Sequence, residues 1–156
     1  MSSIKIVADS TCDLSPELIR DYGITILPLN IVLDMTSYSD GEEISPDEIY
    51  VWAQANKRTP KTAAVAFDRA LALVKGMKEN QEEVIFIGIS SEMSTTCNVM
   101  RLVKEELEYD RMFIIDSRNL STGIGLQVLR AAQLAQEGRS AEEIVKEIDR
   151  KSTRLN

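Results

Sequence analysis

Val84-Ile85-Phe86-Ile87-Gly88-Ile89 runs directly into Ser90, Ser91, Ser94, Thr95 and Thr96, where a helical pattern begins. A short unbroken apolar run bounded by polar residues reads as a buried strand. α/β proteins place ligands at the carboxyl ends of their strands. A helix N-terminus at such a junction offers free backbone N–H groups and the positive end of a dipole. The five hydroxyls there mark an expected site for a carboxylate or a phosphate.

Outward from this junction, strands and helices alternate. Residues 4–8 (Ile-Lys-Ile-Val-Ala) read as a first strand, followed by Asp9-Ser10-Thr11. Ser15-Pro16-Glu17 opens a short helix to Tyr22, with Ser15 as N-cap and Pro16 in the first helical position, and Gly23 ends it. Ile24 to Leu29 is a second strand, whose end Pro28 places at a sheet edge or a bend. Ile31 to Leu33 and Ser37 to Ser39 form a hairpin around Asp34-Met35-Thr36. Ser45-Pro46-Asp47-Glu48 is a capping box for a helix reaching Ala55, and Asn56 to Lys61 reads as a loop.

The i, i+3, i+4, i+7 spacing of Phe67, Ala70, Leu71, Val74 and Met77 predicts the next helix. After strand 84–89 comes a helix with Val99, Leu102, Val103 and Leu107 expected inward. Met112 to Ile115 is a strand ending in Asp116-Ser117. Ile124 to Gln136 is a largely buried helix with a polar stripe of Gln127, Arg130 and Gln133. Ser140-Ala141-Glu142-Glu143 caps a last helix, with Ile144, Val145 and Ile148 toward the core. The alternation predicts an α/β fold with a mainly parallel sheet and helices on both faces. It is expected as one domain over 1–150, with a tail over 151–156 prone to disorder. Asp9-Ser10, Ser90-Ser91 and Asp116-Ser117 repeat one theme at three strand ends, and a parallel sheet would bring them to one edge.

Composition removes most function classes. A net charge of −7 with no basic cluster argues against nucleic acid. No apolar run approaches the roughly 20 residues of a membrane span, and Met1-Ser2-Ser3-Ile4 lacks a signal-peptide pattern, so a cytoplasmic location is expected. The sequence has no histidine, which rules out a Ser-His-Asp triad, a His-paired cysteine or a His-ligated metal. Cys12 and Cys97 lie far apart without metal-ligand spacing and read as reduced thiols. There is no Walker A loop and no G-x-G-x-x-G, so no cofactor and no metal are expected.

Asp9-Ser10-Thr11-Cys12-Asp13-Leu14, Pro60-Lys61-Thr62 and Ile89-Ser90-Ser91-x-x-Ser94-x-Thr96 together resemble the DegV family of fatty-acid-binding proteins. Tyr38-Ser39-Asp40-Gly41, Ile115-Asp116-Ser117 and Gly123-Ile124-Gly125-Leu126 extend the likeness along the chain. The resemblance implies a two-domain α/β protein that holds a long-chain fatty acid with its carboxylate between the domains. Some members present the acyl group to a fatty-acid kinase. The family's carboxylate-binding threonine matches Thr62 and its carboxylate-binding serine matches Ser94; Ser91, Thr96 and Ser117 are added here as neighbours.

Three departures bear on that reading. Thr62-Ala63-Ala64-Val65-Ala66 stands where members usually read Thr-Ser-Gln-Pro-Ser. Ser90-Ser91-Glu92-Met93-Ser94-Thr95-Thr96 replaces Ser-Ser-Gly-Leu-Ser-Gly-Thr, so Glu92 and Thr95 stand at glycine positions and are expected to reshape the pocket. The family also continues into a second domain, so the resemblance implies that this chain corresponds to its first half.

Each site residue has a plainer reading beside the functional one. Thr62 and Ser94 serve equally as helix caps. Asp9 and Asp116 serve as turn formers; Trp52, Met93, Met100 and Cys97 read as packing residues. The sequence supports a non-enzymatic lipid binder, with a long-chain fatty acid as ligand and a fatty-acid kinase as partner. One alternative is an enzyme or binder for a small phosphorylated or carboxylated metabolite, with Asp9 or Asp116 as base. The other is a truncated interaction module that self-associates through the surface left by the second domain.

Overall fold

Residues 3–154, described by a computed structural model, carry seven strands and six helices in the order β1 (Ile4–Asp9), α1 (Pro16–Asp21), β2 (Thr25–Leu27), β3 (Asn30–Leu33), β4 (Thr36–Ser39), α2 (Pro46–Asn56), β5 (Lys61–Ala63), α3 (Phe67–Glu79), β6 (Glu83–Gly88), α4 (Thr96–Leu107), β7 (Met112–Asp116), α5 (Thr122–Gln136) and α6 (Ala141–Arg154). A 3-10 turn at Ser10–Cys12 follows β1 directly.

Four strands form a parallel sheet in the order β2-β1-β6-β7. Its central strands are apolar on both sides, as a sheet covered by two helical layers requires. Ile6, Ala8, Ile85 and Ile87 pack with Ile124 and Val128 of α5 and Ile144 and Ile148 of α6. Val7, Val84 and Phe86 pack on the other face with Val74 of α3 and Met100 and Val103 of α4. This is the expected α/β architecture, and the parallel strands bring Asp9, Ser90 and Asp116 to one edge. Chain order reverses between β1 and β6, so the crevice between their carboxyl ends is the topological switch point.

A second, antiparallel sheet of order β4-β3-β5 leaves from β2. Its hairpin is the expected one. Ile49 and Trp52 of α2 cover Ile31, Leu33 and Ile44. Both halves of the Ser45–Glu48 capping box are made.

Three expectations change. β5 occupies a stretch read as loop and cap, because its pairing with β3, Ile31 opposite Thr62, makes it a strand. The inward stripe of α4 is Cys97, Met100 and Val103, while Leu102 is 55% exposed. α6 continues past the expected domain limit at residue 150, because fully buried Ser152 fastens it: its hydroxyl lies 3.0 Å from the Ile148 carbonyl and 3.2 Å from Gln127 Oε1. Residues 155 and 156 of the expected tail lie outside the described residues.

Two helical glycines should respond oppositely to the same substitution. A Cβ on Gly76 meets nothing within 4 Å, so Gly76→Ala is expected to stabilise by about 1 kcal/mol through helix propensity alone. A Cβ on Gly125 would lie 2.7 Å from the Cys12 carbonyl oxygen and 3.1 Å from Leu14 Cδ2. Overpacking against backbone costs about 1–3 kcal/mol and outweighs the helical gain, so Gly125→Ala is expected to destabilise. Urea denaturation of both variants checks the pair; two shifts of the same sign would refute it.

Candidate functional site

The loop after β6 is built from its own hydroxyls and from its neighbour after β7. Ser90 N–H donates to the Asn119 carbonyl at 3.1 Å, and Ser91 N–H faces both oxygens of Asp116 at 3.3 Å. Met93 and Ser94 N–H groups both donate back to the Ser90 carbonyl, closing a turn that delivers Ser94 to the start of α4.

There Ser94 and Thr96 form a relay. Ser94 Oγ accepts from the Thr96 N–H at 3.2 Å and lies 2.9 Å from Thr96 Oγ1, with either hydroxyl able to donate. Thr96 is fully buried and accepts from the Val65 N–H at 3.4 Å, which seats the segment before α3 on the start of α4. When Thr96 donates to Ser94, both lone pairs of Ser94 Oγ are filled and its own proton is free to point outward. Ser94 is half-buried. Thr95 holds the N-cap position of α4 without a side-chain bond, so Ser94 is not the cap; it engages the Thr96 N–H from one residue outside, and that bond and a donor role coexist.

Thr62 lies three residues before Val65 on the exposed strand β5, within about 10 Å of extended chain. Directly opposed residues of an antiparallel pair share a face, so its side chain projects on the side of Ile31. The Thr62 hydroxyl makes no hydrogen bond among the described residues. It does not cap a helix, since α3 starts at Phe67 with Ala66 in the cap position.

The other named hydroxyls differ in availability. Ser91 is exposed. Thr96 is sealed in the relay. Ser117, expected among the ligand residues, is instead fully buried and turned into its own loop, accepting from the Asn119 N–H at 3.1 Å while its carbonyl takes Gln127 Nε2 at 3.1 Å. Glu92 is exposed, and neither it nor Thr95 adopts a positive φ, so the backbone here does not require glycine at either place. Met93, read from sequence as a packing residue, is 59% exposed, and Leu120 and Leu126 at the neighbouring loop and helix start are 45% and 70% exposed. The exposure of these three was not anticipated; their signal in the sequence is three large apolar residues beside the strand-end motifs.

Both strand-end aspartates are turn formers. Asp116 accepts from the Arg118 N–H at 2.9 Å. Asp9 is fully buried; Oδ2 accepts from the Ile89 N–H at 2.6 Å, and Oδ1 takes the Thr11 N–H at 2.8 Å and the Thr11 hydroxyl. Burial pushes its carboxyl above the ordinary range, with the Thr11 and Ile89 bonds opposing. The thiol of buried Cys97 is likewise pushed up to about 11, chiefly by desolvation. Among the described residues no group of three His, Cys, Asp or Glu side chains could hold a metal, and no helix is long and apolar enough to cross a membrane.

Residues 3–156 match the family described as "uncharacterised protein, DegV family". A DegV domain-containing protein of Clostridium perfringens is 43% identical over 148 residues, covering 95% of this chain and 53% of that protein. One from Deinococcus radiodurans is 35% identical over 155 residues, covering 95% and 52%. The structure of a fatty-acid-binding DegV family protein from Thermus thermophilus superposes with a TM-score of 0.89 at 30% identity, covering 97% of this chain and 54% of that one. A stearic acid-binding protein from Eubacterium ventriosum gives 0.84 at 28% identity, covering 96% and 52%. The chain spans about half the length of the curated relatives it matches.

Proposed function

This chain belongs to the DegV family, and from that premise we propose that it binds a long-chain fatty acid whose carboxylate is held by the hydroxyls of Thr62 and Ser94. The relay at the start of α4 carries the reading. With Thr96 donating, it fills the Ser94 oxygen and frees that hydroxyl to donate to a ligand, and the Thr62 hydroxyl has no partner among the described residues. The positive end of α4 adds to the attraction for an anion. Thr96 supports Ser94 from behind, and Ser91 flanks it.

The tail supplies most of the affinity. Burying about fourteen methylenes contributes roughly 11 kcal/mol gross. Each hydrogen bond to a charged carboxylate contributes about 1.5–3 kcal/mol. Met93, Leu120 and Leu126 offer apolar surface beside the head group. The rest of the enclosure falls to a second domain, in the part of the relatives' length that this chain does not span. The role is binding without catalysis, in the cytoplasm, with the head group presented to a fatty-acid kinase at the same edge. Asp9 supports that choice over an enzyme, since it is buried with both oxygens occupied and has no open face for a substrate.

The test is lipid extraction and mass spectrometry of the purified protein, followed by titration with palmitate and with hexadecanol. A co-purified fatty acid and a palmitate affinity at least about tenfold above that for hexadecanol are expected, since one charged hydrogen bond is worth that much. Equal affinities would overturn the assignment of the head-group site.

A further inference from the structure

We propose that Asp9 and Ser10 are positioning residues that set the span between the Thr62 and Ser94 hydroxyls, an inference that rests on the head-group site proposed above. The two ligand-bearing segments belong to separate elements. Ser94 arrives on the loop that leaves β6 at Ile89; Thr62 arrives on β5, whose place is fixed by its pairing with β3. Nothing in the local sequence of either segment sets its distance from the other.

Consecutive residues at the end of β1 hold both. Asp9 reaches across the switch-point crevice and accepts the Ile89 N–H at 2.6 Å, 80 residues away in sequence, where the Ser90–Ser94 loop departs. Ser10 accepts the Leu29 N–H at 3.0 Å, one residue before β3 begins. β3 then places Ile31 opposite Thr62. One rigid strand end thus fastens the root of each arm. The link from Thr96 to the Val65 N–H ties the arms together farther out, which leaves the strand end as the inner of two cross-ties.

The chemistry of Asp9 suits this task better than its amide would. Three donors converge on its carboxylate: the Thr11 N–H, the Thr11 hydroxyl and the Ile89 N–H. A carboxylate accepts with both oxygens, whereas asparagine presents one acceptor and one NH2 and would turn a donor toward a donor. Asp9 is fully buried, so its effect on a ligand passes through Ile89 and not through contact.

The experiment uses Asp9→Asn and Ser10→Ala in the full protein, titrated with palmitate and hexadecanol. Loss of positioning predicts a palmitate affinity lower by about tenfold or more with hexadecanol nearly unchanged, the share that a misplaced charged hydrogen bond would forfeit. Equal losses for both ligands, or no loss for either, would overturn the proposal. Failure of the head-group site itself reads differently, as a wild-type protein without preference for palmitate. For that case, spin labels at Thr62→Cys and Ser94→Cys report the span without any ligand, the native Cys12 and Cys97 being buried. A distance distribution shifted or broadened by Asp9→Asn or by Ser10→Ala is expected; an unchanged distribution in both refutes the positioning role. Ser10→Ala removes one neutral acceptor and keeps the test available if Asp9→Asn does not fold.

Discussion

Replacing Thr62 by valine and Ser94 by alanine together is expected to weaken palmitate binding by about a hundredfold to ten-thousandfold, the product of two charge-assisted hydrogen bonds worth about 1.5–3 kcal/mol each. The lower end is the better expectation, because Thr62 lies on an exposed strand and water can take its place on the carboxylate. The single variants separate two effects. Thr62→Val removes a hydroxyl with no partner among the described residues and keeps its shape, so stability should stay within about 0.5 kcal/mol while binding falls. Ser94→Ala also takes an acceptor from the Thr96 N–H and a partner from the Thr96 hydroxyl, so it should lower thermal stability as well as affinity. Calorimetric titration with palmitate and hexadecanol, beside melting curves, distinguishes lost contact from lost structure. A double variant that binds palmitate as the wild type does would show that the head group is held elsewhere.

How far the sequence foretold this molecule depended on whether a segment's structure is decided locally. Ser45 and Glu48 satisfy each other's backbone three residues apart, and that helix start was legible in four letters. The central strand was legible because an apolar run of that length has few other uses. β5 was not: all three of its residues are exposed, it carries no alternation, and only its pairing with Asn30, Ile31 and Val32 of β3 makes it a strand. In α4 two stripes compete at helical spacing, one through Val99, Leu102 and Val103 and one through Cys97, Met100 and Val103. The bonds of buried Thr96 to Val65 and Ser94 decide between them, and those partners are not visible in the periodicity.

The site divides in the same way. Hydroxyls after a strand announced an edge built for an anion, and the turn-forming role of Asp9 could be read from its place. Which hydroxyls face out could not, because Thr96 and Ser117 are buried by Val65 and by the loop after β7, remote in sequence or in the turn itself. The reach of Asp9 to Ile89 is a property of two adjacent parallel strands, and only their register reveals it.

The apolar layer beneath α4 should tie stability to binding. Phe86→Ala is expected to lower the unfolding free energy by about 3–5 kcal/mol, a large part of the roughly 5–15 kcal/mol that holds a domain together. Phe86 is fully buried in a central strand, paired with Val7 on one side and Ile114 on the other. Its ring lies over Gly88: a Cβ there would sit 2.6 Å from Phe86 Cε1 and 2.9 Å from Cys97 Sγ. The phenyl group thus fills the place of the missing side chain and packs beneath the first turn of α4. Deleting it leaves a void beside a residue that has nothing to fill it, so Cys97 and the relay above it lose their seat. Palmitate affinity should therefore fall along with stability, although Phe86 touches no part of the proposed head-group site. The same geometry predicts a partial rescue. Gly88→Ala alone should destabilise by crowding the ring, but in the Phe86→Ala background the added methyl enters the vacated space and should recover part of the loss. The two substitutions are then strongly non-additive, by about 0.5–3 kcal/mol as expected for neighbours sharing one cavity. Urea denaturation of the four members of the cycle measures that coupling; additive losses would mean that the ring and the glycine do not share the space above β6.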